Sequence, residues 1–430
     1  MTESKYIAGA GGGGGGKGGG GGSSPTEADD SLQSKQFANA LDLISEGEIE
    51  GLDDGNKSIF FNGTPLQAAD GSYNFTDYTI VTRTGTQGQS YIPGVFSNVE
   101  SETSVGVEVT NATPVIRQIT DSDVDRVRVT IQIPSLQQIE DDGDIVGTSV
   151  SISIQVQYNG GGYSTVKTDT ISGKSSGSYQ RDYLLTLTGS FPVDIKVVRN
   201  TADNSTTKLA NTTNWQSFTS IIDAKLAYPN SALVGLRLGS SQFNSIPQRK
   251  YLIRGIKVAI PSNATVDTTT HLGRITYSGV WDGTFAAATW TNDPAWCLWD
   301  LLTNDRYGAG IPESSLDRYD FFAISQYCNT LVDDGNGGQE PRFSCNLLIN
   351  QRKEVYNVIQ EMSSIFRGIS YYGAGSLVLL QDKPSDAQYT LGPANVVDGV
   401  FSYSGSSVRS RHTCATVAYQ NYDDLGEVSF

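Results

Sequence analysis

The sequence predicts a mainly β protein of several domains with a smaller α+β part. The first reason is composition, since 47 Gly and 21 Tyr accompany only 18% charged residues, as expected for strands joined by tight turns. The second is an alternation of apolar and polar side chains, clearest over 150–158, which places one apolar face on a sheet. The third is a helical spacing of apolar residues that is confined to about 290–370.

The length and the net charge of the chain limit the classes of function that it can have. A chain of 430 residues is long enough for about two to four domains, each with its own hydrophobic core. The formal net charge is −16 and the pI is about 4.5. This balance argues against tight nucleic-acid binding, because Lys and Arg drive the binding of phosphates. An acidic channel would instead let DNA pass without holding it.

The N-terminus has the most biased composition. It is almost entirely Gly from position 9 to position 22, and such a run gains too little on folding to offset its conformational entropy. We predict a disordered Gly-rich extension over 1–30. Gly11, Gly16 and Lys17 match part of a phosphate-binding loop, but Gly18 stands where that loop needs Ser or Thr. No nucleotide cofactor is therefore expected.

Strand patterns dominate the first two-thirds of the chain. The strand over 150–158 is followed by a Gly-rich turn and by a returning run that ends at Val166, which predicts a hairpin. Residues 127–133 alternate in the same way, and 195–198 form a further strand. We predict three β-rich stretches here, of which the middle one is a sandwich inserted into, or appended to, the others: 31–144, 145–230 and 231–289.

The period changes in the stretch 290–385, for which an α+β domain is predicted. Asp293 is a good N-cap and Pro294 suits the first helical position, so a helix is expected over 295–302. A second helix should start near Ser314. Its apolar stripe is expected to contain Leu316, Tyr319, Ala323 and Tyr327.

The third helix has the most regular spacing, over 355–366, and Gly368 is a suitable stop. A hairpin formed by 369–372 and 377–380 should follow it. The last stretch, 386–430, is predicted to be the start of a further β-rich domain. We expect that domain to continue beyond the end of this sequence.

Candidate metal and catalytic groups do not assemble into a motif. The spacing of the four Cys fits no zinc pattern, and the Asp-rich segment 121–125 lacks the Gly and the Glu of a calcium loop. The acidic loop 333–338 is expected to be an exposed turn. His271 and His412 accompany no nucleophile motif. No catalytic residue, metal or cofactor is predicted, and no stable membrane segment.

Aromatic residues give the strongest local signal, because four of the five Trp fall close together. Indoles on one short helix could stack on a sugar or a base. Large rings in such a group more often form a core or an obligate contact between subunits, where they bury the most area. We predict a role in a core or a subunit interface for Trp281, Trp290, Trp296 and Trp299.

Several short segments, taken together and in this order, carry a resemblance to a known family. They are SEGEIEG at 45–51, FNGTP at 61–65, WQSFTSIIDAK at 215–225, YPNSALVGL at 228–236, YSGVWDGTF at 277–285, AWCLWDLLT at 295–303, RYG at 306–308, DDGNGGQEPRFSCN at 333–346 and QDKPSD at 381–386. The chain resembles the N-terminal hub half of the tail tip host-specificity protein J family of lambda-like tailed bacteriophages.

The resemblance implies a homotrimeric hub of β-barrel or sandwich domains, related to baseplate hubs, that closes the distal end of the tail tube. The implied partners are the distal tail protein, other tail tip proteins and the tape-measure protein. A host receptor would be bound through a C-terminal region that is not in this chain, and DNA would meet the hub only in transit. The implied location is the virion tail tip, after assembly in the host cytoplasm, with a structural role in attachment and genome ejection.

Two features depart from the family pattern: the Gly-rich N-terminal extension, and an end before the receptor-binding region. No receptor-binding residue is therefore assigned. Two other functions stay open at this point. One is a tail-associated hydrolase of cell wall or polysaccharide, and the other is a stand-alone carbohydrate-binding adhesin.

Overall fold

The structure, a computed structural model, describes residues 25–94, 96–243, 245–270, 272–335, 337–373, 375–416, 418–421 and 427–429. Strands make up 40% of the chain and helices 12%, which confirms the mainly β class with a small helical part. The chain forms two compact units. The first joins the described residues up to Gln36 with Pro93–Leu226, and the second joins Phe37–Ile92 with the residues from Ala227 onward.

The elements are as follows in chain order. The strands before residue 93 are β1 (Phe37–Glu46), β2 (Ile49–Leu52), β3 (Ile59–Phe61), β4 (Thr64–Pro65) and β5 (Tyr78–Thr84). Those within 93–226 are β6 (Val99–Glu108), β7 (Val115–Ile119), β8 (Arg126–Ile133), β9 (Gln137–Ile139), β10 (Ile145–Val146), β11 (Thr148–Tyr158), β12 (Ser164–Gly173), β13 (Tyr179–Thr186), β14 (Val193–Arg199), β15 (Leu209–Ala210) and β16 (Asn214–Ile222).

After residue 226 come β17 (Ser231–Gly239), β18 (Arg249–Tyr251), β19 (Ile253–Val258), β20 (Ala264–Val266), β21 (Ile275–Tyr277), β22 (Thr289–Trp290), β23 (Leu331–Asp333), β24 (Gln339–Pro341), β25 (Gly368–Gly373), β26 (Ser376–Gln381), β27 (Tyr419–Asn421) and β28 (Glu427–Ser429). The helices are α1 (Pro294–Thr303), α2 (Arg318–Cys328) and α3 (Val355–Ile365).

The first unit is built around two four-stranded antiparallel sheets, in the orders β12-β11-β14-β7 and β13-β8-β16-β6. Alternation along the strands puts every second side chain inside, as Val127, Val129 and Ile131 show on β8. Trp215 on β16 is fully buried in the same core. The predicted strands over 127–133 and 150–158 and the hairpin that follows the latter are confirmed by β8, β11 and β12.

The first unit begins earlier than the sandwich predicted over 145–230. β8 pairs with both β13 and β16, and β16 pairs with β6. A boundary at 145 would therefore separate strands of one sheet, whereas the long segment of the first unit runs from Pro93 to Leu226. The pattern of apolar residues does not indicate this pairing, because β6 is an exposed strand without a buried alternate face.

A short N-terminal segment, residues 25–34, packs along the first unit. The disorder predicted over 1–30 is not found in the described residues of this segment, because the Ala28 N–H donates to the Ile145 carbonyl (2.9 Å). Lys174 of the first unit is buried, and its ammonium lies 2.7 Å from the Glu27 carboxylate and 2.9 Å from that of Asp30. Buried cations require such paired partners, so Lys174 orders the segment. Residues 1–24 lie outside the described part of the chain.

We expect Lys174→Met to release the segment 25–34. The substitution leaves the Glu27 and Asp30 carboxylates without their shared cation, so cleavage by a glutamyl endopeptidase after Glu27 should become several-fold faster. The matched control is Lys208→Met, which removes an exposed ion pair with Asp141 in the same unit and should leave that rate unchanged. Equal cleavage rates in the two variants would show that Lys174 does not hold the segment.

The second unit contains several small antiparallel sheets and the helices. β17 lies between β1 and β5 in one sheet, while β18-β3-β4 and β2-β19-β22 form two others. A compact core, which includes Ile59, Phe61 and Leu236, joins the first two of these sheets. A larger core, centred on α1, gathers apolar side chains from α2, α3 and β26.

The helices test the sequence predictions one by one. α1 begins as expected, with Asp293 as its N-cap and Pro294 at its first position. α2 starts at Arg318 and not near Ser314, because the Asp317 side chain caps it and 313–315 form a separate 3-10 turn. The predicted apolar stripe of α2 was also wrong. The helix buries a different face, made by Phe321, Ile324, Ser325 and Cys328, while Tyr319 is 55% exposed.

α3 buries Val358, Ile359 and Met362 as predicted, and the hairpin after it is confirmed by β25 and β26. The stretch 386–430 was expected to be β-rich. Among its described residues, the strands are β27 and β28, which form one short hairpin. Large apolar side chains before it, such as Tyr389 and Tyr403, are exposed, so the described residues there present no buried face to support a sheet.

Candidate functional site

Eight aromatic residues of the second unit form a packed cluster around α1. This aromatic cluster consists of Tyr277, Trp281, Phe285, Trp296, Trp299, Tyr319, Phe321 and Phe322. Ring centroids are 5.8 Å apart for Trp281 and Trp296 and 5.1 Å apart for Trp299 and Phe321, both with edge-to-face geometry. Such pairs add to the stability that burial of the rings provides.

The structure brings together three of the four Trp residues that the sequence singled out. Trp296 is completely buried, and Trp281 and Trp299 are nearly so. Trp290 is also buried but lies apart on β22, where the Arg254 guanidinium sits 5.0 Å from its ring. All four indoles thus pack inside one chain; whether any also borders a subunit contact stays a prediction.

A buried carboxylate lies at the N-terminus of α1, beside the aromatic cluster. Asp293 accepts hydrogen bonds from the Trp296 backbone N–H (2.9 Å), the Ser325 hydroxyl (2.6 Å) and the Asn329 amide (2.5 Å). Burial raises its pKa, since desolvation disfavours the charged form, while the three donors act in the opposite direction. The positive end of the helix dipole also favours a carboxylate here.

The polar network continues into the cluster. The Trp296 indole N–H donates to the Tyr277 hydroxyl (2.8 Å), which lies 2.5 Å from the Ser325 hydroxyl. Burial and the nearby Asp293 raise the pKa of Tyr277 far above its usual value. Every member therefore has a partner within the protein, and the network fixes how α1, α2 and β21 pack.

This arrangement is suited to a structural role. A general base or nucleophile needs a free lone pair that faces a substrate, whereas the Asp293 carboxylate is occupied by three protein donors. The Cys328 thiol is completely buried and burial raises its pKa well above the usual range. Neither group offers the chemistry of an open catalytic site.

The other candidates from the sequence are turns in the structure. In the segment 121–125, Asp121 accepts from the Asp123 N–H (3.0 Å), and Asp125 accepts from the Asp223 N–H (2.7 Å). In the loop 333–338, Asp334 accepts from the Gly338 N–H (2.9 Å). Within the described ranges, no group of three or more His, Cys, Asp or Glu is placed to hold a metal ion. His271 lies outside them.

The same described part of the chain has no helix that is both long and apolar enough to cross a membrane. Two depressions stand out on the surface of the described residues. One is lined by the Asp42–Arg249 ion pair and Tyr251, and the other by polar side chains of the sheet that contains β8 and β16. The charged side chains that line them have partners within the protein: Asp42 pairs with Arg249, Arg128 pairs with Glu100, Glu102 accepts from Ser217, and Asp182 accepts from Thr130. Neither depression therefore identifies a ligand.

Segments that are far apart in the sequence meet in the second unit. Glu46 of SEGEIEG forms an ion pair with Arg306 of RYG. The neighbouring Gly47 has φ +97° and lies against the Tyr307 ring, where a Cβ would be 2.9 Å from a ring carbon. Gly85 is similarly restricted, because a Cβ there would be 2.4 Å from the Gly47 carbonyl oxygen. Gly47 and Gly85 thus lie where neighbouring parts of the chain pass too close to admit a side chain.

Sequence reasoning missed the partners of the predicted residues. Phe285 and Phe321 complete the aromatic cluster, and Ser325 and Asn329 bind Asp293. The spacing of Ser325 and Asn329, four residues apart on one helix face, was the available signal. It could not be connected to Asp293 without knowing how α1 and α2 pack.

Comparison with known proteins adds a family. A family model for the FNIII-A domain of tip attachment protein J matches residues 99–224, a span that falls within the first unit. The tip attachment protein J of Escherichia phage SECphi4 is 39% identical over 413 residues, which is 93% of this chain and 36% of that protein. That of Escherichia phage SECphi27 is 34% identical over 93% of this chain and 33% of the relative.

The chain thus spans about a third of the length of the curated relatives that it matches. A solved structure from Sulfurospirillum deleyianum covers 29% of the chain with 14% identity and a TM-score of 0.17. A likeness that weak carries no argument about fold or function.

Proposed function

From its place in the tip attachment protein J family, to which the chain belongs, we propose that it is a structural hub subunit of a phage tail tip. In this role it would close the distal end of the tail tube and connect it to the receptor-binding region. The observation that carries the proposal is similarity over 93% of the chain to proteins named for tip attachment.

The structure supports a mechanical role in two ways. Antiparallel sheets occur in both units, and a ladder of hydrogen bonds joins each pair of strands. Some of the residues that carry the resemblance lie in cores or at close backbone contacts, as Trp296 and Gly47 do. The buried Asp293 carboxylate beside Trp296 is held by three donors of the protein, and we propose that the chain is not an enzyme.

The proposed assembly is a homotrimer that contacts the distal tail protein, other tail tip proteins and the tape-measure protein. Host receptor binding would belong to a region outside this chain. The net charge of −16 on each copy would line a central lumen with negative potential and let DNA pass during genome ejection. We propose assembly in the host cytoplasm and residence at the distal tip of the virion.

The hub role can be separated from that of an adhesin by removing the chain from the phage. A nonsense codon early in this reading frame should yield no finished tails, and the full-length protein supplied from a plasmid should restore them. Complete tails that fail only to adsorb would contradict the hub role and support the adhesin. Light scattering on the purified protein should give the mass of three copies.

A further inference from the structure

The second unit contains two free thiols that lie together at the edge of its larger core. Cys297 is on the first turn of α1, and its Sγ lies 3.7 Å from the Thr291 carbonyl oxygen. Cys345 follows β24, and its backbone N–H donates to the carbonyl of Asn292 (2.7 Å), the residue after Thr291. The segment 291–292 thus holds both cysteines against the same stretch of backbone.

Further observations show that the two side chains face each other. The thiol of one is in hydrogen-bonding contact with the thiol of the other, a contact that raises the pKa of Cys297 and lowers that of Cys345. Both belong to the packed region around α1. Cys345 is buried and Cys297 is partly buried, so the pair lies at the edge of the larger core. Neither is engaged in a disulfide.

We propose that Cys297 and Cys345 are the site of an intramolecular disulfide that forms when the protein meets an oxidising small-molecule disulfide. Either thiol, as its thiolate, attacks the small disulfide and releases one small thiol. The second thiolate of the pair then attacks the mixed disulfide, so that the Cys297–Cys345 bond forms and a second small thiol leaves. The protein loses two electrons and two protons, and the small disulfide is reduced to two thiols.

The cross-link would tie the N-terminal turn of α1 to the irregular segment that follows β24. It closes a loop of about 50 residues, and constraint of the unfolded chain by a loop of that size is expected to raise the Tm of the second unit by about 10 °C. The biological timing of the step rests on the proposed function. A virion protein is made in a reducing cytoplasm and works outside it, so the bond would form after release.

The chain supplies its own internal comparison in Cys328 and Cys414. Cys328 is completely buried, and Cys414 is exposed and lies outside the cores of the described residues. Oxidised glutathione should therefore leave Cys328 reduced and add a glutathione adduct to Cys414. Cys297 and Cys345 should be the only cysteines that lose their free thiols without gaining a glutathione adduct.

The test is to treat the purified, reduced chain with oxidised glutathione, alkylate under denaturing conditions and map the peptides by mass spectrometry. The expected result is a peptide that joins Cys297 to Cys345 and a rise in the Tm of about 10 °C. Cys414→Ser should keep both results, and Cys345→Ser should lose both. Full alkylation of Cys297 and Cys345 in the wild-type protein, or glutathione on both, would overturn the proposal. The peptide map does not depend on where the protein resides, so its failure would leave the hub role untouched.

Discussion

Replacing Trp296 with alanine is expected to lower the free energy of unfolding of the second unit by about 3–5 kcal/mol. Trp296 is completely buried and contacts Trp281, Phe285, Trp299 and Phe321 in the aromatic cluster. The substitution leaves a large cavity and removes the indole N–H that bonds to Tyr277. Urea denaturation followed by tryptophan fluorescence and circular dichroism measures the loss.

The control for Trp296→Ala is Tyr356→Ala on α3. Tyr356 is also aromatic but is 66% exposed, so its removal should change the free energy of unfolding by about 0.5 kcal/mol or less. Similar losses in the two variants would show that the aromatic cluster is not the centre of this core.

Replacing Asp293 with alanine should cost about 3–4 kcal/mol, the second largest effect. The variant loses the N-cap of α1, which alone is worth about 1 kcal/mol. It also removes the carboxylate that accepts from the buried Ser325 hydroxyl and the Asn329 amide, and a buried hydrogen bond to a charged group is worth about 1.5–3 kcal/mol. The matched control is Asp317→Ala, which removes the exposed N-cap of α2 and should cost only about 1 kcal/mol.

The charge on Asp293 gives a further signature. Because burial raises its pKa in the folded state, the folded protein binds a proton more tightly than the unfolded chain. The stabilisation from that proton is full below about pH 4, the usual pKa of an Asp, and is lost as pH rises through the folded value. The free energy of unfolding of the wild type, relative to that of Asp293→Asn, should therefore fall as the pH rises through that window. A difference that is independent of pH would contradict the raised pKa.

The sequence allowed the strongest strands and helices to be predicted, because alternation and helical spacing are local properties. β11 and α3 fall where their apolar residues require. The buried face of α2 could not be decided locally, since Tyr319 and Tyr327 make as regular a stripe as Ile324 and Cys328. The face with Ile324 and Cys328 is the buried one because it packs against the aromatic cluster around α1.

Two other features depended on contacts far away in the sequence. The segment 25–34 is polar and aperiodic, and its order comes from Lys174. The first unit starts at Pro93 because exposed β6 pairs with β16, which no pattern within β6 indicates. The Asp293 cap was predicted and is confirmed, while its partners on α2 were not, because they follow from the packing of two helices.

The most direct test of the proposed tail tip role is to label purified virions with an antibody against this chain and image them by electron microscopy. Label is expected at the distal end of the tail and nowhere else on the particle. Label on the capsid or along the tail shaft would contradict it.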